Sequence, residues 1–515
     1  MRDGAECGGT GELRMVIRRD WQRILFLAAL VLAGANVLVY AARQANPLIM
    51  SDEWAYLDGF VRKAADSGLA LSDFFVKRFA LDHAHPLRRA ILFLHYKWFD
   101  LDYSIQAFVG VMFAFANLAL FWKIAAPDDE GMLRRPWFLV AFLALAAVYL
   151  SLNSGTIYTW PLLTLGFSGH FFVLCCLLAA WRANADPTRR AAWIAFGAAL
   201  AMDVVTDDTG LLVSIAIAIA TVLWQWRNRG ARGSAMVAAS RNVVLPVVAA
   251  YVAYRVFRFT VTRGAVAAYP LADQFSAGNI LHALSETLPG LLLGLHAPLV
   301  AGIVQKSKLA WLFGSGATAM EWAIFAAMSF AHAWFWWRAW SRRTGRAGYV
   351  AMALMLYFYG AVAGILVGRA SLYGVDYFWQ PRYVFLYQLG VVALVLMAID
   401  AMAQDATSGV RGGRLLRRVA AACAIALIAL QCCLSVATWG SVRRSSDFQR
   451  RLALQIGEIA AHPERVPDKC APALIICRYP VERRTELVRF LKDNKLNVFS
   501  PSFQARYRLY PDKPR

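Results

Sequence analysis

The feature that most constrains this chain is a series of apolar blocks, each about 17–22 residues long, the length of helix that crosses the hydrocarbon core of a bilayer. They lie near 24–40, 104–123, 137–153, 160–181, 191–207, 209–226, 242–260, 318–338, 348–368, 383–400 and 418–438. The blocks are continuous, whereas membrane β-barrels are built from short alternating segments, so helices are the spanning form. Hydrophobic residues make up 59% of the 515 positions and charged residues 17%, which excludes an ordinary soluble domain. The expectation is an all-α polytopic membrane protein with about eleven transmembrane helices.

The net charge of +21 does not point to nucleic acid, because no basic run carries interleaved aromatics. It reads instead as the positive-inside signal. Arg134 and Arg135, Arg182 with Arg189 and Arg190, and Arg227 with Arg229, Arg232 and Arg241 fall in alternate loops. So do Arg338, Arg342, Arg343 and Arg346, and then Arg411, Arg414, Arg417 and Arg418. All become cytoplasmic if the amino terminus is inside. The first block follows Arg14, Arg18, Arg19 and Arg23 but is long and lacks a small-x-small cleavage site, so it reads as an uncleaved anchor.

One apolar stretch, 286–303, is left out of this count. Pro289, Gly290, Gly294, Pro298 and Gly302 interrupt it, and counting it would put the arginines between 338 and 346 outside. It reads as a re-entrant or interfacial segment on the outer face. The organisation is then a cytoplasmic amino terminus (1–23), a transmembrane module (24–438) with an outer first loop (41–103), and an outer tail (439–515) that reads as a small α/β unit. Cys175, Cys176, Cys423, Cys432 and Cys433 lie inside apolar blocks as small core residues. Cys470 and Cys477 lie in the tail, where an oxidising compartment would allow a disulfide.

The first outer loop opens with Ser51-Asp52-Glu53-Trp54-Ala55-Tyr56 and continues to Asp82-His83-Ala84-His85-Pro86-Leu87-Arg88-Arg89. Trp54, Leu57, Phe60 and Val61 recur at helical spacing, so the acids open an amphipathic helix lying along the membrane. A purely local reading has Ser51 capping that helix and the two acids complementing its dipole.

An Asp-Glu-x-x-aromatic segment just after the first span, followed by His-Pro-Leu-Arg, resembles the GT-C superfamily of membrane glycosyltransferases that use polyprenyl phosphate sugars. It is most similar to the group of protein O-mannosyltransferases and the lipid A aminoarabinose transferase. This chain has one proline where that group has two, and Arg88-Arg89 where a small residue and lysine are usual. The resemblance implies a GT-C-like fold and transfer of a sugar from a polyprenyl phosphate donor to a glycan, lipid or protein acceptor. It implies Asp52 as the base, Glu53 orienting the site or holding acceptor or metal, and His85 and Arg88, with Tyr56 and His83 nearby, on the substrate side. Such transfer needs a base for the acceptor hydroxyl and cations for the departing phosphate. His83 and His85 also have the chemistry of metal ligands, although i,i+2 spacing is a weak signal for a divalent ion.

A second group, Arg369, Tyr373, Asp376, Tyr377, Arg382 and Tyr383, surrounds an outer loop where the positive-inside rule expects few arginines. Arg382 and Tyr383 fit either a phosphate clamp or an interfacial belt. Arg255, Arg258 and Arg263 are weaker candidates of the same kind. Asp203, Asp207 and Asp208 fit a solvated turn or a site, and His170 and His332 fit core histidines. A transporter or flippase of lipid-linked sugars would show paired broken helices, and only one broken segment is present. An oligosaccharide polymerase or ligase would place its large outer loop late in the chain. The Ala/Arg-rich composition and the lack of Asn-x-Ser/Thr sequons fit a bacterial inner membrane with the site facing the periplasm.

Overall fold

The computed structural model describes residues 9–77, 83–126, 135–229, 233–263, 277–408, 413–467 and 469–508. Every segment read above as a span lies largely on a helix. In chain order these are α1 (Gly9–Gln44), α2 (Ser104–Ala125), α3 (Pro136–Tyr149), α4 (Phe167–Ala185), α5 (Arg189–Thr206), α6 (Thr209–Arg229), α7 (Leu245–Val261), α8 (Ala317–Ser341), α9 (Arg346–Ile365), α10 (Val384–Ser408) and α11 (Gly413–Trp439). Among the described residues, eight stretches are long and apolar enough to cross a membrane, which makes the chain a multi-pass membrane protein. The apolar α3 has 14 residues, about 21 Å at 1.5 Å per residue and short of a hydrocarbon core of roughly 30 Å. The others outside the eight are α5, which begins at Arg189 and Arg190 and carries Asp203, and α8, which carries Glu321 and Arg338.

Helix α9 packs along α10 and α6, α4 along α5 and α2, α5 along α7, and α11 along α3. Several buried polar side chains inside this bundle are hydrogen-bonded to one another, which offsets the cost of holding them away from water. Asn117 donates to the Tyr149 hydroxyl at 2.7 Å and the Phe167 carbonyl at 2.8 Å. His332 bonds the Tyr359 hydroxyl and His170 the Tyr149 hydroxyl, so both behave as core histidines. The interrupted stretch 286–303 splits into Ala277–Leu293, with Pro289 inside it, and His296–Ala301. Gly294 sits at the break, where a Cβ would fall 2.1 Å from Val375 Cγ2.

The tail departs from expectation. No strand forms there among the described residues: α12 (Val442–Ala461) and α13 (Val481–Asp493) are joined by turns. The apolar run Ala473-Leu474-Ile475-Ile476, which has strand-like composition, enters a short 3-10 helix at Ile475–Arg478. Cys470 and Cys477 are joined in a disulfide.

The amphipathic helix of the first loop also buries against something other than the membrane. Trp54, Leu57, Phe60 and Val61 form one hydrophobic core with Leu452, Ile456, Leu474, Ile476, Leu487 and Leu491 of the tail. First loop and tail are thus a single subdomain on one face of the bundle, stitched by polar ties. Asp58 pairs with Arg62 at 3.3 Å and with Arg483, Arg62 reaches Glu486 at 3.1 Å, and Asp102 pairs with Arg506 at 2.7 Å. Asn497 donates to the carbonyls of Pro47 and Leu101.

Candidate functional site

The acid pair sits on a strained turn. Ser51 has φ 51°, a left-handed conformation that non-glycine residues hold only when their surroundings impose it. Its N–H donates to the Ala473 carbonyl of the tail at 2.5 Å, and its carbonyl accepts from Trp54 N–H at 3.2 Å. Ser51 is therefore not the cap expected above: Asp52 occupies that position, and its side chain makes no capping hydrogen bond. The half-buried Asp52 carboxylate is not used to start the helix.

Glu53 is 1% exposed, and its Oε2 accepts the Met50 N–H at 2.8 Å. Oε1 is buried and faces the buried Trp160 indole nitrogen. Burial lifts the Glu53 pKa well above the carboxylate range, with the Asp52 charge adding; the Met50 N–H, the Arg88 guanidinium and the Trp160 indole N–H oppose the shift without cancelling it. A carboxyl raised in the folded state stabilises the fold fully at low pH, and that contribution fades as pH rises past the unfolded value towards the folded one. The stability of the wild type relative to Glu53→Gln should therefore fall from near pH 4.5 upward, because glutamine can still accept the Met50 N–H. Melting both purified proteins across roughly pH 4–8 reads this difference, and a pH-independent difference would contradict the buried neutral acid.

The second motif supplies the helix Pro86–Trp98, with His85 at its cap position. Arg88 donates to the Leu162 carbonyl at 3.0 Å and lies within electrostatic reach of Glu53. Arg89 turns the other way: it is 5% exposed, lies 5.8 Å from the ring centroids of Tyr56 and Phe60, and donates to the Asp73 carbonyl. Tyr56 is buried in the subdomain core beside it. Asp52, Glu53 and Arg88 thus come together around one turn, while Tyr56 faces Arg89.

His83 and His85 lie 5.9 Å apart, ring to ring, but His83 approaches a different group. It stands with Asp207 and Asp208 so that one ligand atom from each lies within 4.8 Å of the others. Those carboxylates are already engaged. Asp207, fully buried, accepts from Tyr254 Oη and Ala84 N at 2.8 Å and pairs with Arg258; Asp208 pairs with Lys77 and Arg255. Burial alone would raise the Asp208 pKa, but Lys77, Arg255 and Arg258 outweigh it and hold the carboxyl below its usual value. A buried carboxylate costs several kcal/mol unless paired, and three cations meet that cost here. The cluster fastens the first loop to the α5–α6 turn and to α7.

Beside the acid pair opens a cleft of about 810 Å³ whose lining, among the described residues, includes Met50 and Ser51 but not a single carboxylate. Three cations line it, each from a different element: Lys308, Arg382 and Arg444. The Arg382 guanidinium lies 5.2 Å from the ring centroids of both Tyr377 and Tyr383 and donates to the Tyr377 hydroxyl, and its Nε is buried without a hydrogen bond. Burial lowers the Lys308 pKa, the effect of holding a cation away from water without a countercharge. Tyr40 of α1 and Ala437 and Thr438 of α11 line the same cleft, so it opens between the ends of two apolar helices. Lys308 and Arg444 were not singled out from sequence.

In comparisons with known proteins, no family model, no curated protein and no solved structure matches this chain.

Proposed function

We propose that this protein is a GT-C-like glycosyltransferase with about eleven spans in a bacterial inner membrane, acting on the periplasmic side with a polyprenyl phosphate sugar as donor. One observation carries the reading: an acid pair stands at the edge of a cleft that, among the described residues, is lined by three cations and no carboxylate, between the ends of two apolar helices. Uncompensated cations favour an anionic ligand, and the helix ends favour one with a lipid chain. Asp52 takes the proton of the acceptor hydroxyl, whose oxygen attacks the anomeric carbon. The bond from that carbon to the phosphate oxygen breaks, and the electron pair leaves with the lipid phosphate. Arg382, Lys308 and Arg444 hold the charge that develops there. Glu53, buried and neutral, keeps the turn in place with Arg88.

Two experiments test this. Glycan analysis of envelope fractions from cells with and without the gene should show one sugar modification missing in the latter; identical glycans would remove the reading. Impermeant thiol labelling of cysteines placed singly at Ser408 and Ser502 should reach only position 502 in intact cells. Labelling at 408 alone would invert the topology and put the cleft on the wrong side for the proposed donor.

A further inference from the structure

A backbone hydrogen bond ties the tail to Ser51, the residue immediately before the acid pair, and its tail end lies inside the ring closed by the disulfide. Cys470 and Cys477 enclose residues 471–476. Within that loop the Ala473 carbonyl accepts the Ser51 N–H, the bond that accompanies the left-handed backbone immediately before Asp52. Pro472 and Ala473 line the cation cleft, while Leu474 and Ile476 are buried in the core that holds Trp54. On the far side Gln455 of α12 clamps the loop's start, donating to the Lys469 carbonyl at 2.8 Å and accepting from Ala471 N–H at 3.1 Å.

We infer that the disulfide loop is a positioning element of the site: it holds Ser51, and through it Asp52 and Glu53, at the cleft, and reducing it disables the site while the membrane bundle stays folded. The physical reason is local. Apart from one 3-10 turn the loop has no regular structure, so cross-linking its ends removes conformations that would otherwise compete with the one that presents the Ala473 carbonyl. The bundle core shares none of these residues. Both cysteines are partly exposed, so a small phosphine reaches them. The disulfide takes up two electrons and two protons to give two thiols, and the phosphine takes an oxygen from water to become its oxide.

The inference rests on the proposed role of Asp52 and Glu53, so its test has an arm that does not depend on catalysis. Hydrogen–deuterium exchange is measured on the purified full chain in lipid nanodiscs, before and after phosphine and in a Cys470→Ser/Cys477→Ser variant. Peptides covering 50–56 should exchange roughly tenfold faster in both treated forms, with helices α4, α9 and α10 unchanged. Unchanged exchange at 50–56 would overturn the inference, whatever the protein's activity. Faster exchange throughout the bundle would overturn it too, by making the bond a general fold determinant. In the transfer assay, kcat should fall on the order of tenfold, as expected when a reacting group loses its alignment, with donor KM within about twofold. Faster exchange at 50–56 with unaltered kcat would show that this contact does not position the acids. Absence of transfer in the oxidised protein would count against the glycosyltransferase reading alone.

Discussion

Asp52→Asn should reduce sugar transfer by at least about a hundredfold, the usual scale for removing a general base, while the protein remains inserted and folded. Asparagine keeps the size of the side chain and is itself a good cap residue. The helix start does not depend on the carboxylate, because Asp52 makes no capping hydrogen bond and the first turn is held by Trp54 N–H on the Ser51 carbonyl. What the substitution removes is the ability to take up a proton near neutral pH. The comparison is made at equal abundance in the membrane, with melting temperature as the control for folding. Near-normal transfer would remove Asp52 as the base.

Arg382→Ala should raise the donor KM by roughly ten- to a hundredfold, consistent with about 1.5–3 kcal/mol for hydrogen bonds to a charged group. Arg382→Lys should fall between alanine and wild type. Lysine restores a cation but not the planar fork, and it stacks less well on the rings of Tyr377 and Tyr383 that flank the guanidinium. Lys308 and Arg444 remain in the cleft, so kcat should change less than KM. The measurement is a donor titration at saturating acceptor. If both variants match wild type, Arg382 is an interfacial anchor and the cleft is not the donor site.

How far the sequence disclosed this arrangement differs from element to element. The helices that form the bundle were legible because each apolar block must be long enough to bury its own backbone in lipid. The break at Gly294 was legible because proline and glycine interrupt the stretch. The stripe Trp54, Leu57, Phe60 and Val61 was legible as a buried face, but periodicity does not say what covers it, and the partner is the tail some 400 positions away. The tail was misread for a related reason: the composition of Ala473–Ile476 suits a strand, whereas residues 471–476 lie within an eight-residue disulfide ring and fold over the Ser51 turn. Ser51 was misread as a cap because the reading considered only the residues beside it, not the distant carbonyl it bonds.

The site shows the same division. Asp52, Glu53 and Arg88 were found through two nearby motifs, and they do converge. Asp207, Asp208, Arg255 and Arg258 were each noted separately, yet their pairing depends on α5 packing against α7 and on Lys77 arriving from the first loop. Lys308 and Arg444 belong to segments without any motif, and only their meeting in one cleft with Arg382 makes them informative.

The central claim, that this acid pair and this cleft transfer a sugar from a lipid phosphate, is tested most directly with the purified full-length protein in nanodiscs. The protein is supplied with polyprenyl phosphate sugars and an envelope extract as acceptor. Release of the free polyprenyl phosphate is followed by mass spectrometry, alongside the Asp52→Asn protein. The account predicts acceptor-dependent release by the wild type for at least one donor and loss of that release in the variant. Intact donor with every sugar tried, or equal release by both proteins, would contradict it.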